Sequence, residues 1–324
     1  RNLMSGMNTT NSALLIRTNL WSAELKEILR DEMMAQRYVR MLDGFPDGNT
    51  FNIPSIGQAQ VENYAEDAAV TYRPLDTGNF TFTVDKYLSS ATYMTKKAEQ
   101  DVFYSSELMS RFVPEQERAI MSHFETTTMA APEVGVSANS QEDIDGVHHR
   151  LSGGNAGKIE VADFAYARYA LKKANVPDQN LIAIVDPSVE FALNTLTDLV
   201  AVSSNPKWEG IVRDGIATGM RFVASVYGFD VYTSNFCATA TDSALPDREG
   251  GGNVNFSSTN GKTNLFFSAS QTVNPFVGAW RQEPEVDFEY NKDYQRNEFV
   301  TTARYGVKLY RPENMVRIVT NPTI

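Results

Sequence analysis

An α+β fold is the class that the amino-acid sequence predicts, and three observations lead to that prediction. Segments with helical periodicity and segments with strand periodicity mix along the chain without a regular βαβ repeat. An alternating hairpin spans residues 50–87, and it leads into a long helical stretch, Glu99 to Ala131. A protruding hairpin that feeds a long helix indicates a building block rather than an enclosed pocket.

The hairpin has two arms with a period of two. Residues 50–54 form the outgoing arm, and in the returning arm, 78–87, apolar residues alternate with polar ones. This alternation is typical of a half-buried strand. The mostly polar segment between the arms is far longer than a tight turn, and a hairpin of that length has no core near its tip. We therefore expect its apolar face to contact another subunit. The residues predicted to make this contact are Tyr72, Arg73, Asp76, Phe80, Phe82 and Val84.

The long helical stretch contains Pro114, which predicts either a kink or a new first helical turn. Glu115 and Glu117 favour a new first turn, because carboxylates are stabilised near a helix N-terminus. Ile120 and Phe124 follow at helical spacing, and we predict that they form the inward-packing stripe of this helix.

Composition restricts the classes of protein that fit. The chain has 324 residues, 42% of them hydrophobic, which is enough for one large or two modest cores. It has no run of about eighteen apolar residues, so the sequence predicts no membrane span. Cys237 is the only cysteine, which excludes an intramolecular disulfide and a cysteine-based zinc site. The net charge of −11 lacks the basic footprint of a sequence-specific nucleic-acid binder, but it is compatible with a non-adhesive wall around DNA.

No group of residues along the chain satisfies the requirements of a catalytic or metal-binding site. His148 and His149 follow Asp143 and Asp145, but we predict a solvated loop there rather than a metal site. Cys237 is predicted to be an inert small hydrophobe. The sequence therefore predicts no catalytic, cofactor-binding or metal-binding residue.

A glycine-rich stretch, 153–158, is similar in sequence to a phosphate-binding loop. Ser152 occupies the first glycine position and Ile159 replaces the Ser or Thr that would hold magnesium. No strand is predicted before it, so the sequence argues against phosphate binding.

Taken in order, the remaining motifs resemble the major capsid proteins of tailed bacteriophages, the Hong Kong 97 fold. The stretch LIAIVDPSVEFAL (181–193) looks like the first strand and helix of the axial domain in that family. GFDVYTSN (228–235) is similar to a later axial strand. VDFEYNKDYQRNEFVTTARYGVKLYRPENMVRIVT (286–320) looks like the closing segment, in which an acidic strand crosses the peripheral domain and a tyrosine-glycine strand rejoins the axial sheet.

The resemblance implies a phage capsid fold with an N-terminal arm, an extended β-hairpin loop, a peripheral domain with a long spine helix, and an axial domain with a mixed sheet flanked by helices. Its boundaries in this sequence are an arm at 1–49, the extended loop at 50–95, the peripheral domain at 96–178 with return strands at 281–302, and the axial domain at 179–280 with closing strands at 303–324. The Gly/Asn-rich insertion 240–264 is outside the family pattern.

The function that the resemblance implies is structural. Copies would form pentamers and hexamers that close into an icosahedral viral shell around double-stranded DNA, without sequence-specific binding. Scaffolding, portal and decoration proteins would be partners, no membrane would be involved, and assembly would take place in the host cytoplasm. Two alternatives stay open: a bacterial encapsulin-type nanocompartment shell of the same fold, and an enzyme with an unrecognised site.

Overall fold

The computed structural model describes residues 33, 35–42, 48, 50–57, 61–63, 65–67, 69, 72, 77–101, 105–154, 156–195 and 225–322. All of them belong to one compact unit, Glu32–Ile324. Of the arm predicted for residues 1–49, residues 1–32, 34, 43–47 and 49 lie outside the described residues, as does the segment 196–224.

The described residues form five helices and fifteen strands. Helices α1 to α5 are, in order, Ala35–Tyr38, Lys96–Asp101, Ser105–Ala130, Val161–Lys173 and Pro187–Thr195. Strands β1 to β15 are, in order, Arg40–Met41, Thr50–Ile56, Thr77–Thr83, Lys86–Thr95, Asp143–Ile144, Val147–His148, Arg150–Ser152, Leu181–Val185, Ser225–Val226, Phe229–Thr233, Thr239–Ala240, Gly261–Ser268, Phe276–Asn291, Arg296–Leu309 and Met315–Thr320.

A four-stranded sheet in the order β1-β13-β14-β4 forms one half of the unit. Its two longest strands, β13 and β14, pair antiparallel from Phe276↔Leu309 to Asn291↔Arg296, and β14 pairs antiparallel with β4. Helix α3 packs on one face of this sheet, where Phe124 meets the rings of Trp280 and Tyr305. This arrangement explains why aromatic residues recur in segments far apart in sequence.

A mixed sheet in the order β7-β15-β12-β8-β10-β9, with β11 beside β12, forms the other half. Strand β8 is buried along its whole length, as its continuous apolar run predicts. The Asp186 carboxylate accepts a hydrogen bond from the Ser188 amide at 3.1 Å, which caps α5 with Pro187 in its first turn. Phe164 of α4 packs edge-on against Phe266, at 5.1 Å between ring centroids.

Three local predictions differ from the structure. The helical stretch is divided into α2 and α3, and Pro114 lies inside α3 rather than at a first turn. Pro114 is exposed, and its missing amide hydrogen removes one backbone hydrogen bond from the helix. The returning arm of the hairpin ends at Thr83, and the chain then enters β4 in another sheet.

The third difference concerns the closing segment. Tyr305 and Gly306 lie in β14, between β13 and β4, and do not rejoin the mixed sheet. That role falls to β15, which pairs with β12 and β7. The two strands are close in sequence, since β14 ends at Leu309 and a short turn at Pro312–Asn314 precedes β15.

Candidate functional site

The hairpin formed by β2 and β3 is a two-stranded sheet separate from the two larger sheets. Its pairs run from Thr50↔Thr83 to Ile56↔Thr77, and neither strand pairs with a third strand among the described residues. Both arms are largely exposed, and Phe51 keeps 40% of its surface exposed. The arms carry no charged residue. A two-stranded sheet is marginal by itself, so we expect the exposed part of this hairpin to be covered by another surface.

The root of the hairpin is held by its own subunit. Phe82 and Val84 are buried against Val277 and Ala279 of β13. The prediction that Phe82 and Val84 contact a neighbour is therefore wrong, because both side chains are buried within their own subunit. The alternation identified the apolar face correctly but could not show that β13 covers its lower end.

Gly306 makes this attachment possible. A Cβ atom at this position would lie 2.7 Å from the Thr83 carbonyl oxygen and 3.0 Å from the Val84 Cα atom. The hairpin root thus crosses β14 at a distance that only glycine permits.

We expect Gly306→Ala to lower the free energy of unfolding by about 1–3 kcal/mol, because backbone atoms would have to move apart. Gly251→Ala is the matched control, since its Cβ would meet nothing within 4 Å. Chemical denaturation of both variants measures the difference. Equal stabilities would show that the root can shift freely.

Phe80 marks where the attachment ends. Its ring is partly buried against Tyr310, at 4.8 Å between centroids, and the Lys308 ammonium lies 5.0 Å from the Phe80 centroid. The same ammonium donates a hydrogen bond to the Thr81 carbonyl at 3.0 Å. Phe80 therefore has only part of its surface available to a neighbour.

Of the three residues predicted to make a contact at the hairpin tip, the structure describes one. Tyr72 is 93% exposed, which agrees with a contact outside the described chain. Arg73 and Asp76, also predicted to make that contact, lie outside the described residues.

Helix α3 is fixed by an aromatic cluster on the four-stranded sheet. Ile120 and Phe124 are buried, and the Phe124 ring stacks on Trp280 at 5.0 Å. The Tyr305 hydroxyl lies 2.7 Å from His123 Nδ1 and 3.0 Å from Thr127 Oγ1. Burial raises the pKa of Tyr305, so the hydroxyl stays protonated and available for these hydrogen bonds.

A buried ion cluster joins the turn after α3, Ala131–Glu133, to the mixed sheet, and no sequence pattern predicted it. Arg150 of β7 binds Asp242 with two nitrogens, at 3.1 and 2.5 Å, and lies 2.9 Å from Glu133. Burial raises the pKa of Asp242, but hydrogen bonds from Arg150 and the Asn139 amide outweigh it, and the pKa lies below its usual value. The cluster's contribution to stability is therefore present at neutral pH and is lost as the pH falls through that lowered value.

We expect Arg150→Ala to destabilise the chain by about 3–5 kcal/mol, because it leaves two carboxylates buried without their cation. Arg168→Ala is the matched control, since its ion pair with Asp178 is partly exposed and should contribute below about 1 kcal/mol. Thermal unfolding followed by circular dichroism compares the two. A control variant as unstable as Arg150→Ala would contradict this account.

The glycine-rich loop 153–158 does follow a strand, β7, contrary to the prediction. It still offers no phosphate site, because the Asp163 carboxylate already accepts hydrogen bonds from the amides of Gly154 (3.1 Å) and Glu160 (2.8 Å). Arg248 binds the same carboxylate at 2.8 Å. The insertion 240–264 thus packs on its own subunit through Arg248 and Asp242.

The histidines and the cysteine considered above as candidate metal ligands lie in structural rather than metal-binding environments. His148 Nδ1 hydrogen-bonds Asp143, whereas His149 is buried and bonds the Met315 carbonyl at 2.9 Å, so the prediction of a solvated loop is wrong for His149. Burial lowers the pKa of His149 and raises that of Cys237 to about 12. Within the described ranges, no three His, Cys, Asp or Glu side chains are arranged to hold a metal ion.

Among the helices of the described residues, none combines the length and apolar character needed to cross a membrane.

Comparison with known proteins gives matches in sequence family and in fold. A family model described as phage capsid protein matches residues 78–318. The structure is similar to that of Cyanophage P-SCSP1u capsid, with a TM-score of 0.70 and 16% identity over 98% of this chain and 96% of that chain. It is also similar to a chain of Mycobacterium phage Che8 (TM-score 0.66, 16% identity, 93% and 96% covered). A third similar structure is the mature capsid of bacteriophage PhiM1 (TM-score 0.65, 12% identity, 96% and 94% covered). No curated protein matches the chain in sequence.

Proposed function

The chain belongs to the phage capsid protein family and is a structural protein of a viral shell, and from that premise we propose that its copies assemble as pentamers and hexamers into an icosahedral shell enclosing double-stranded DNA. The predicted fold class is confirmed by the capsid structures that share it.

The observation that supports this proposal is the uncharged hairpin of β2 and β3, anchored at its root and exposed beyond it. A rigid root gives the hairpin a fixed direction, and the bare arms give it a surface that needs a partner. When one surface of a subunit binds a different surface of the next, the contact repeats and closes into rings. Such heterologous contacts generate the pentamers and hexamers proposed here.

The net charge of the chain supports the proposal that the shell encloses DNA. A net charge of −11 gives a wall that does not bind phosphates tightly. Packaged DNA would then remain free to leave the particle. We further propose scaffolding, portal and decoration proteins as partners, with assembly in the host cytoplasm.

We also retain as proposals the domain boundaries and the tip contact. The extended loop, 50–95, would reach the neighbour through Tyr72, Arg73, Asp76 and the free part of Phe80. Within those boundaries, we propose that the four-stranded sheet belongs to the peripheral domain and the mixed sheet to the axial domain.

Expression of the full chain with its co-expressed scaffold tests the proposal. We expect particles of megadalton mass in size-exclusion chromatography with light scattering, closed shells in negative-stain micrographs, and nuclease-resistant DNA in particles from infected cells. A stable monomer under every condition, scaffold included, would refute the shell. Shells that hold a cargo protein instead of DNA would favour the nanocompartment.

A further inference from the structure

The distal part of β13 has one edge without a neighbouring strand among the described residues. On one side β14 accompanies β13 to Asn291, whereas on the other side β1 reaches only Val277 and Gly278. The strand is irregular between Trp280 and Glu285, and from Glu285 to Asn291 no strand of the described chain pairs with this edge. At about 3.3 Å per residue, this regular free edge is roughly 23 Å long. Long free edges are templates for another strand, and proteins usually keep them short.

An apolar row runs along this edge. Val286, Phe288 and Tyr290 are 39%, 61% and 42% exposed. They share the sheet face on which α3 lies, because Thr301, directly opposite Val286, donates a hydrogen bond to Gln116 of α3 at 3.1 Å. The helix leaves this row uncovered. Contiguous exposed apolar side chains beside a free edge mark an interaction surface.

The opposite face of the same strand determines the chemistry of the partner. Glu285, Asp287 and Glu289 alternate with the apolar row and are exposed. Glu289 stands directly opposite Glu298 of β14, and like charges in this position are destabilising. The cation nearest to this pair, Arg296, lies 2.6 Å from Glu298. A basic partner would relieve the remaining repulsion.

We propose that the β13 edge, residues 285–291, binds an extended basic segment of another protein as an additional strand. Such a segment would carry Lys or Arg at every second position, facing the three carboxylates, and apolar residues between them, facing Val286, Phe288 and Tyr290. Backbone hydrogen bonds would supply affinity, and the alternating side chains would supply specificity.

A second copy of this chain does not fit the edge. A strand that presents two cations on one face needs Lys or Arg two residues apart. Nowhere in the 324 residues do two of the 29 Lys and Arg residues have that spacing. The partner is therefore a different polypeptide, and this inference does not depend on how the shell is built.

Binding of short fluorescent peptides to the full chain, followed by anisotropy, tests the proposal. The probe alternates lysine and valine, and its control has the same composition with all lysines in one block. We expect the alternating peptide to bind and the block peptide to bind far more weakly. The variant Glu285→Gln/Asp287→Asn/Glu289→Gln should weaken binding at least about fivefold, because each opposed charge pair across strands is favourable.

A charge-matched variant keeps the test specific. Glu117→Gln/Glu190→Gln/Asp230→Asn removes three exposed carboxylates elsewhere and should leave binding within about twofold, because distant exposed charges are screened. Equal binding of the two peptides, equal weakening by the two variants, or no binding at all would overturn the proposal. So would strong hydrogen-exchange protection, in particles assembled from this chain alone, of those amides in 285–291 that point away from β14, since a second copy would then occupy the edge.

Discussion

Removal of residues 57–76 is expected to leave a folded subunit that does not assemble. Ile56 and Thr77 form the last pair of the hairpin, so an Asn-Gly turn can join them directly. The described residues of the deleted segment are exposed, and none belongs to a buried apolar cluster. The core should therefore survive, while the hairpin loses its reach to the neighbouring subunit.

Circular dichroism tests whether the deletion variant is folded, and negative-stain microscopy tests whether it assembles. The deletion variant should melt within a few degrees of the parent chain and should form no closed particles. A second variant keeps the length of the hairpin but replaces residues 57–76 by glycine and serine. It tests whether assembly needs only a hairpin of this length or the specific side chains at its tip. We expect it to fail as well, because flexible arms lose the exposed Tyr72 and must be ordered on binding. Normal shells from the deletion would contradict the role given to the hairpin.

Local patterns in the sequence predicted the elements that are defined by local physics. The apolar run Leu181–Val185 is a buried strand, and the alternation in Thr77–Thr83 is one arm of the hairpin. The charges at the two ends of α4 complement its dipole, with Asp163 early and Lys172 late. Each of these signals depends on neighbours within a few residues.

Contacts between distant residues escaped prediction. Lys308 and Thr81 are 227 positions apart, and Arg150 and Asp242 are 92 apart. A period of two shows that Phe82 is on an apolar face but not which strand covers it. A carboxylate such as Asp242 in a Gly/Asn-rich segment looks solvated until its arginine is known. The wrong prediction for Phe82 and the missed ion cluster both have this origin, since burial by a remote partner leaves no local signal.

Phe124→Asp is expected to unfold the subunit. Phe124 is 1% exposed, its ring stacks on Trp280 at 24° between planes, and it meets Tyr305 edge-on at 5.1 Å. Removing a buried phenyl ring costs about 3–5 kcal/mol, and a carboxylate there would be buried without a cation at a further cost of several kcal/mol. The sum is comparable to the whole stability of a typical domain, roughly 5–15 kcal/mol.

Phe112→Asp provides the matched control for this prediction, because it introduces the same change on the same helix at a position that is 48% exposed. We expect it to alter stability by only about 0.5 kcal/mol, since exposed substitutions rarely do more. The measurements are the soluble fraction after expression and the melting curve by circular dichroism. Insoluble Phe124→Asp beside soluble, normally melting Phe112→Asp would agree with α3 packing through Phe124. Insoluble Phe112→Asp beside soluble, normally melting Phe124→Asp would mean that α3 presents the opposite face to the four-stranded sheet. A carboxylate is strongly destabilising only at the position that is buried in the aromatic cluster.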